Sequence, residues 1–388
     1  MKKYKYWLDS LPFIGGRTAE KLLEYFKDAR SVYEACLLND DDLKNILSKR
    51  LNMDKVTQVI KAGADADIDG DYDLMIAKGI RFIDEDDPYY PKRLKAVSNH
   101  PYAIYVKGDL PGEDEPAVSV IGSRNCSEYG RIAADAFGSY LGQSRINVIS
   151  GMAVGVDGLS QQGAIDGGGK TFAVLGSGVD ICYPLQNRSL YEAIPQNGGI
   201  ISAFPPGTPP SRSNFPFRNS IVAALCDVLL VIEARARSGT SITVNLALSM
   251  NKDIYAVPGR ITDRLSDGCN MLIRQGSGVA LSPEDFVSEV NILWARRGEA
   301  GDVIMNRAKE QILCSRAGCL AKANNAPLTG IAGYVDINPM SAEEIHERRL
   351  RDEPGAVLSD TLSRLSLMCV KGELIQVASG YYLRPVKK

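Results

Sequence analysis

The sequence predicts an α/β protein: a doubly wound parallel sheet, with a helical domain before it and a winged-helix domain after it. Three observations lead there. Six apolar runs of strand length, "AVSVIGS", "INVISG", "TFAVLGSG", "GGIISAF", "CDVLLVIEA" and "DIYAVPG", alternate with helical stretches such as "EYGRIAADAFGSYLG" and "SITVNLALSM". The runs are apolar throughout rather than at every second position, as in strands buried on both faces of a parallel sheet. The chain, at 388 residues and 45% hydrophobic, is long enough for two or three domains and rich enough to fill their cores.

Residues 1–75 read as the helical domain. In "LPFIGGRTAEKLLEYF", Ile14, Ala19, Leu22, Leu23 and Phe26 recur at helical spacing behind a Gly-Gly turn. This is the outline of a helix-hairpin-helix, which can offer backbone N–H groups to a DNA phosphate. A purely structural cap fits equally, because only Arg17 and Lys21 add charge beside the turn. The acidic run "DADIDGDYD" follows the first six positions of an EF-hand loop, but Ile76 stands where a closing glutamate belongs, so it reads as a solvated helix end.

The sheet domain is expected over residues 76–290. It opens with "IRFIDEDDPYYPKRL" and "HPYAIYVKGDL", a proline-punctuated connection with one or two short strands. Residues 291–339 lack a strong period, and "AKANNAPLTG" marks a linker. Residues 340–388 then read as a helix from Ser341, a helix from about Pro354 to Cys369 and two short strands around Ser379 and Gly380, the outline of a winged helix. This tail carries eight basic and seven acidic residues, which leaves duplex binding and protein contact both open.

Net charge is −2, so any nucleic-acid site must be a local cluster. No apolar run approaches the length of a membrane span. The start "MKKYKYWLDSLPFIGG" is interrupted by Trp7, Asp9 and Pro12, unlike a secretory signal, so the cytoplasm is expected. Eight dispersed cysteines suit a reduced protein without disulfides, and Cys314 and Cys319, far from His100 and His346, make no convincing zinc spacing.

Several loops carry residues suited to chemistry. "GAIDGGGKT" resembles a P-loop, but Ala164 replaces a required glycine and a helix precedes it where a strand should, so it reads as a helix end leading into a strand. "VLGSGVDICYP" offers GxG, yet Ile181 stands at the third glycine and no acid ends the next strand, so no dinucleotide cofactor is expected. "VIGSRNCSEYGR" leaves a strand through Gly122 and Ser123, presents Arg124 and enters a helix near Ser127, which suits a phosphate as well as it suits a plain turn with a solvated arginine. "PPSRSNFPFRNSIVAAL" gathers Arg212, Phe215, Phe217, Arg218 and Asn219, the basic and aromatic interleaving that single-stranded nucleic acid requires. Phe217 is assigned to the core and Phe215 to the ligand. In "IEARARSGTSIT", Ser238, Gly239 and Thr240 begin a helix and form an anion nest. With two histidines, both outside the six-strand core, no nucleophile has a base, and no catalytic residue or metal ligand is assigned.

In order and spacing, "VIGSRNCSEYG", "VISGMAVGVDGLSQQGAI", "LGSGVDICYPLQN", "FPFRNSIVAAL", "ARSGTSITVNLAL", "YAVPGR" and "GCNMLIRQGS" resemble the DNA-processing protein A (DprA, or Smf) family over residues 117–286. The resemblance implies an extended Rossmann-like fold that binds single-stranded DNA, dimerises and helps load the RecA recombinase during natural transformation. It puts Arg124 on the family's phosphate-binding arginine, Arg212 on a basic position, Phe215 on an aromatic that meets a base, and Arg218 and Asn219 on an Arg-Asn pair. Ser220 departs from a second family arginine, and Ser160 and Gln161 from an alanine-histidine pair. The alternative class is a nucleotide-binding or nucleotide-hydrolysing protein of the phosphoribohydrolase type, whose catalytic glutamate is matched here by Thr243.

Overall fold

The computed structural model describes residues 1–295, 335, 340–353, 355–370, 374–378 and 381–383. Residues Met1–Pro283 form one compact unit and Glu284–Lys388 a second. The linker expected at 291–339 lies mostly outside the described residues.

The first unit is built on a nine-stranded sheet: β1 (Ile80–Asp84), β2 (Ala103–Gly108), β3 (Ala117–Ile121), β4 (Asn147–Ser150), β5 (Thr171–Leu175), β6 (Gly198–Ser202), β7 (Val228–Val231), β8 (Asp253–Ala256) and β9 (Gly278–Val279). The spatial order is β1-β2-β6-β5-β4-β3-β7-β8-β9. All six apolar runs of the sequence are strands, and from β6 through β9 every pairing is parallel. The chain winds from β3 outward to β6, then returns to place β7 on the other side of β3. Ligands of open α/β sheets lie at such a reversal, outside the strands' carboxyl ends.

The wholly parallel sheet expected from the sequence needs one correction. β2 pairs antiparallel with β6, and β1 antiparallel with β2. Between β1 and β2 the chain makes only the four-residue helix Lys92–Lys95. Parallel neighbours are usually joined by a full crossover helix, and without one the two strands run in opposite senses.

The helices at the amino end do as their spacing predicts. Ile14, Ala19 and Leu22 are buried with Trp7 and Val56 in one core, while Tyr6 and Met75 join Phe82 and Tyr105 of β1 and β2 in another. The acidic run is a helix start, where Asp67 accepts the Gly70 N–H at 3.0 Å to cap Ile68–Ala77. The P-loop-like stretch ends the helix Val156–Asp166 and passes through Gly168, at φ +76°, into β5. Its Lys170 ion-pairs with Glu115 at 3.2 Å.

In the second unit Ser341 and Glu344 form a reciprocal capping box at the head of the helix Ala342–Asp352. The helix Leu358–Val370 and the strands β10 (Met340–Ser341), β11 (Ile375–Ala378) and β12 (Tyr381–Leu383) complete it, around Ile345, Leu365, Leu374 and Tyr382. The two-residue β10, paired with β12, was not legible in the sequence.

Candidate nucleic-acid interface

The loops after β3, β4 and β7 and the start of the helix Asn214–Leu225 enclose a groove of about 480 Å³ at the strands' carboxyl ends. All ten residues assigned from the sequence, Gly122, Ser123, Arg124, Arg212, Phe215, Arg218, Asn219, Ser238, Gly239 and Thr240, line it. They come from three loops that are far apart in the chain, brought together because the winding reverses between β3 and β7.

Arg124 and Arg212 are exposed. Arg212 has no ion-pair or hydrogen-bond partner among the described residues. Phe215 is half-buried, with the guanidinium carbons of Arg124 and Arg218 each 5.6 Å from its ring centre. Four arginines, Arg124, Arg212, Arg218 and Arg235, line the groove against one carboxylate, Asp157, so it is locally basic within a nearly neutral chain.

Arg218 differs from the other arginines. It is 5% exposed, and its Nη1 donates to the carbonyl of Gly151 and, at 2.8 Å, to that of Val174. The guanidinium thus fastens the loop after β4 and the end of β5 to the helix Asn214–Leu225. A side chain at Gly151 would collide with that guanidinium, so only glycine permits the contact. Burial pulls the Arg218 pKa below its ordinary value; the charge of Asp157 opposes this and that of Arg124 adds to it. Burial likewise raises the Asp157 carboxyl, countered by Arg218 and by the Gly151 N–H, which Asp157 accepts at 3.2 Å.

The helix start near Ser127, read as an anion site, is already filled. Glu233, 1% exposed at the end of β7, accepts the Ser127 N–H at 2.8 Å and also its hydroxyl. The Ser123 N–H donates to the Glu233 carbonyl at 2.7 Å. An internal carboxylate therefore takes the place a phosphate would have had, and the Arg124 loop offers mainly its guanidinium. The Ser238–Thr240 start is different: Gly239 caps the helix Thr240–Ser249 with no side-chain cap, and the Ser238 hydroxyl has no partner among the described residues. Donors and helix dipole remain available there.

Sequence reasoning missed Tyr183. Its ring centre stands 6.0 Å from that of Phe215 at a 36° tilt, and it is 43% exposed. It lines a hollow of about 420 Å³ that shares Arg124, Phe215 and Arg218 with the groove. The signal is the aromatic of "CYPLQN", which stands in a strand-end loop just after the more conspicuous GxG. Glu233 could have been suspected as an acid ending an otherwise apolar strand.

The departures from the family pattern avoid the groove's chemistry. Ser160 and Gln161 are fully buried, and Gln161 Nε2 donates to Thr171 at 3.1 Å; Ser220 bonds back to the Phe217 carbonyl at 2.6 Å. Thr243, at the position of the hydrolase glutamate, is 4% exposed.

A doubly wound α/β sheet with a basic, aromatic groove at its winding reversal defines a Rossmann-like binding protein. The particular family follows from comparison: the model of the DNA recombination-mediator protein A family matches residues 81–291, and the chain belongs to that family. It is 32% identical over 275 residues to the DNA processing protein DprA of Streptococcus pneumoniae, covering 71% of this chain and 94% of that protein. The X-ray structure of the S. pneumoniae protein superposes with a TM-score of 0.60 at 30% identity, over 74% of this chain and 98% of that one. Protein Smf of Escherichia coli is 34% identical over 209 residues, 54% of this chain and 56% of that protein.

Proposed function

We propose that this chain is a single-stranded DNA-binding protein that protects incoming strands and loads the RecA recombinase in natural transformation and recombination, acting as a cytoplasmic homodimer with no cofactor and no catalytic step. One observation carries the DNA part of this reading: the exposed Arg124, the half-buried Phe215 and the uncapped Ser238–Thr240 helix start face one groove. A single strand supplies what each needs, a phosphate for the guanidinium and the helix start and an unstacked base for the ring. In a duplex the bases are stacked away from such a ring.

Membership of a recombination-mediator family supports the role in recombination. The RecA partner and the homodimer rest on the family resemblance. Among the described residues no helix is long and apolar enough to cross a membrane. Two helices and a three-stranded sheet support a winged helix over residues 340–388, following a helical domain (1–75), the sheet domain (76–290) and a linker (291–339). The test is a binding comparison at one salt concentration between oligo-dT, a blunt duplex of equal length and free nucleotides. Preference for the single strand is expected, and equal affinity for the duplex would overturn the reading.

A further inference from the structure

A second opening, of about 660 Å³, lies beside the same helix turn. Phe215 and Phe217 are two positions apart at the start of the helix Asn214–Leu225, so their side chains leave it in nearly opposite directions. Phe215 lines the groove and Phe217 lines this second cleft. Phe217, assigned to the core from sequence, packs against the core but is only half-buried. It meets Phe204 edge-on, with ring centres 6.1 Å apart at 72°, and both rings face the cleft.

The Gly-Gly turn, whose outline suits a phosphate as well as a structural cap, also lines the cleft. Arg17 and Arg50 line it, both exposed and both without an ion-pair partner among the described residues. The helix Gly16–Phe26 starts at Gly15 with no side-chain cap, and even a Cβ at Gly15 would meet nothing within 4 Å, so a ligand can approach the backbone. Tyr102, also on the cleft, is 5% exposed and its hydroxyl has no hydrogen-bond partner among the described residues, an uncommon state for a buried polar group. Of the carboxylates present, Asp9 accepts the Tyr105 hydroxyl at 2.7 Å and Glu85 pairs with His100 at 2.9 Å. Glu20 is exposed and has no such partner among the described residues, and all three carboxylates share the lining with Arg17 and Arg50.

We infer that this cleft is a second nucleotide subsite, holding a phosphate on Arg17, Arg50 and the Gly16 helix start and a base against Phe204 and Phe217, on a single strand that continues past Pro216 from the groove. The inference rests on the single-strand reading above and extends the strand's path onto the amino-terminal helices. Binding by phosphate charge and a base's π-face needs no particular sequence. A free mononucleotide would satisfy the same chemistry, and the experiment separates the two sources.

Affinity is measured for oligo-dT of about 5 and about 20 nucleotides, lengths that bracket a single compact site, and for dTMP. The parent is compared with Arg124→Ala, with the pair Arg17→Glu and Arg50→Glu, and with the charge-conserving pair Arg17→Lys and Arg50→Lys. Arg124→Ala is expected to weaken both lengths. The glutamate pair should leave the short oligomer unchanged, weaken the long one about tenfold or more, and reduce the salt slope for it by roughly 1.4, at about 0.7 per lost contact. The lysine pair should restore most of that loss. A glutamate pair that binds the long strand like the parent overturns the subsite, even with the groove intact. Saturable dTMP binding that the glutamate pair abolishes, with the long strand unaffected, also overturns it and assigns the cleft to a free nucleotide. If the parent binds neither oligomer, it is the single-strand reading itself that fails.

Discussion

The guanidinium carbon of Arg124 lies 5.6 Å from the centre of the Phe215 ring, so the charge assigned to phosphate and the ring assigned to a base touch each other before any ligand arrives. Removing either should affect the other. A double-mutant cycle on oligo-dT affinity, with Arg124→Ala and Phe215→Ala, is expected to show coupling of about 0.5–1 kcal/mol. Strictly additive losses would mean the contact plays no part in binding.

The two residues should nevertheless fail differently. Arg124→Ala and Arg212→Ala should each weaken binding to every sequence and lower the salt slope by roughly 0.7 on a single strand. Phe215→Ala should cost about 1–3 kcal/mol with the slope unchanged. Because Phe215 is half-buried, its melting temperature must be measured alongside. A variant that melts early yet binds normally once folded would remove Phe215 from the ligand.

Tyr183→Ala should behave like Phe215→Ala, since the two rings are neighbours lining one hollow. A loss of about 1–3 kcal/mol is expected, recovered by Tyr183→Phe, which keeps the π-face. A loss in Tyr183→Phe equal to that in Tyr183→Ala would point to the hydroxyl and contradict stacking.

Arg218→Ala should be a stability variant first. Hydrogen bonds from a charged donor are worth about 1.5–3 kcal/mol each, and Arg218 makes two to carbonyls that would be left buried. Gly151→Ala, which displaces the same guanidinium, should reproduce the lowered melting temperature. Normal melting in both variants would show that the loops hold themselves.

The Asp9 carboxyl is pushed up to about 7 from an ordinary value of 3.8, because burial outweighs the hydrogen bond from the Tyr105 hydroxyl. A raised folded-state pKa favours the protonated fold, so this contribution is complete below pH 3.8 and is lost as pH rises through about 7. The melting temperature of Asp9→Asn should therefore gain on the parent between pH 4 and 7. Parallel melting curves across that window would show that Asp9 titrates normally.

The parallel strands were legible because burial on both faces leaves an unbroken apolar run, and each of the six runs became a strand. β10 and β9, two residues each, carry too few side chains to show a period. The pairing of β2 was hidden for another reason: strand direction depends on what the connection can span, not on the strand's own residues. At the groove, residue type and loop position sufficed to gather Arg124, Arg212, Phe215 and Thr240. They could not show that Arg218 is buried or that Glu233 fills the Ser127 helix start, because both depend on which distant backbone lies opposite.

A single buried guanidinium bridging the loop after β4, the end of β5 and a helix also bears on timing. With Gly151 and Val174 tied to Arg218, this wall of the groove is fixed without any ligand, and binding of a single strand is expected to need no closing motion. Capture should then occur in one kinetic phase, at a rate governed by diffusion and by attraction to the exposed arginines. Differences among strands would lie in how long each one stays.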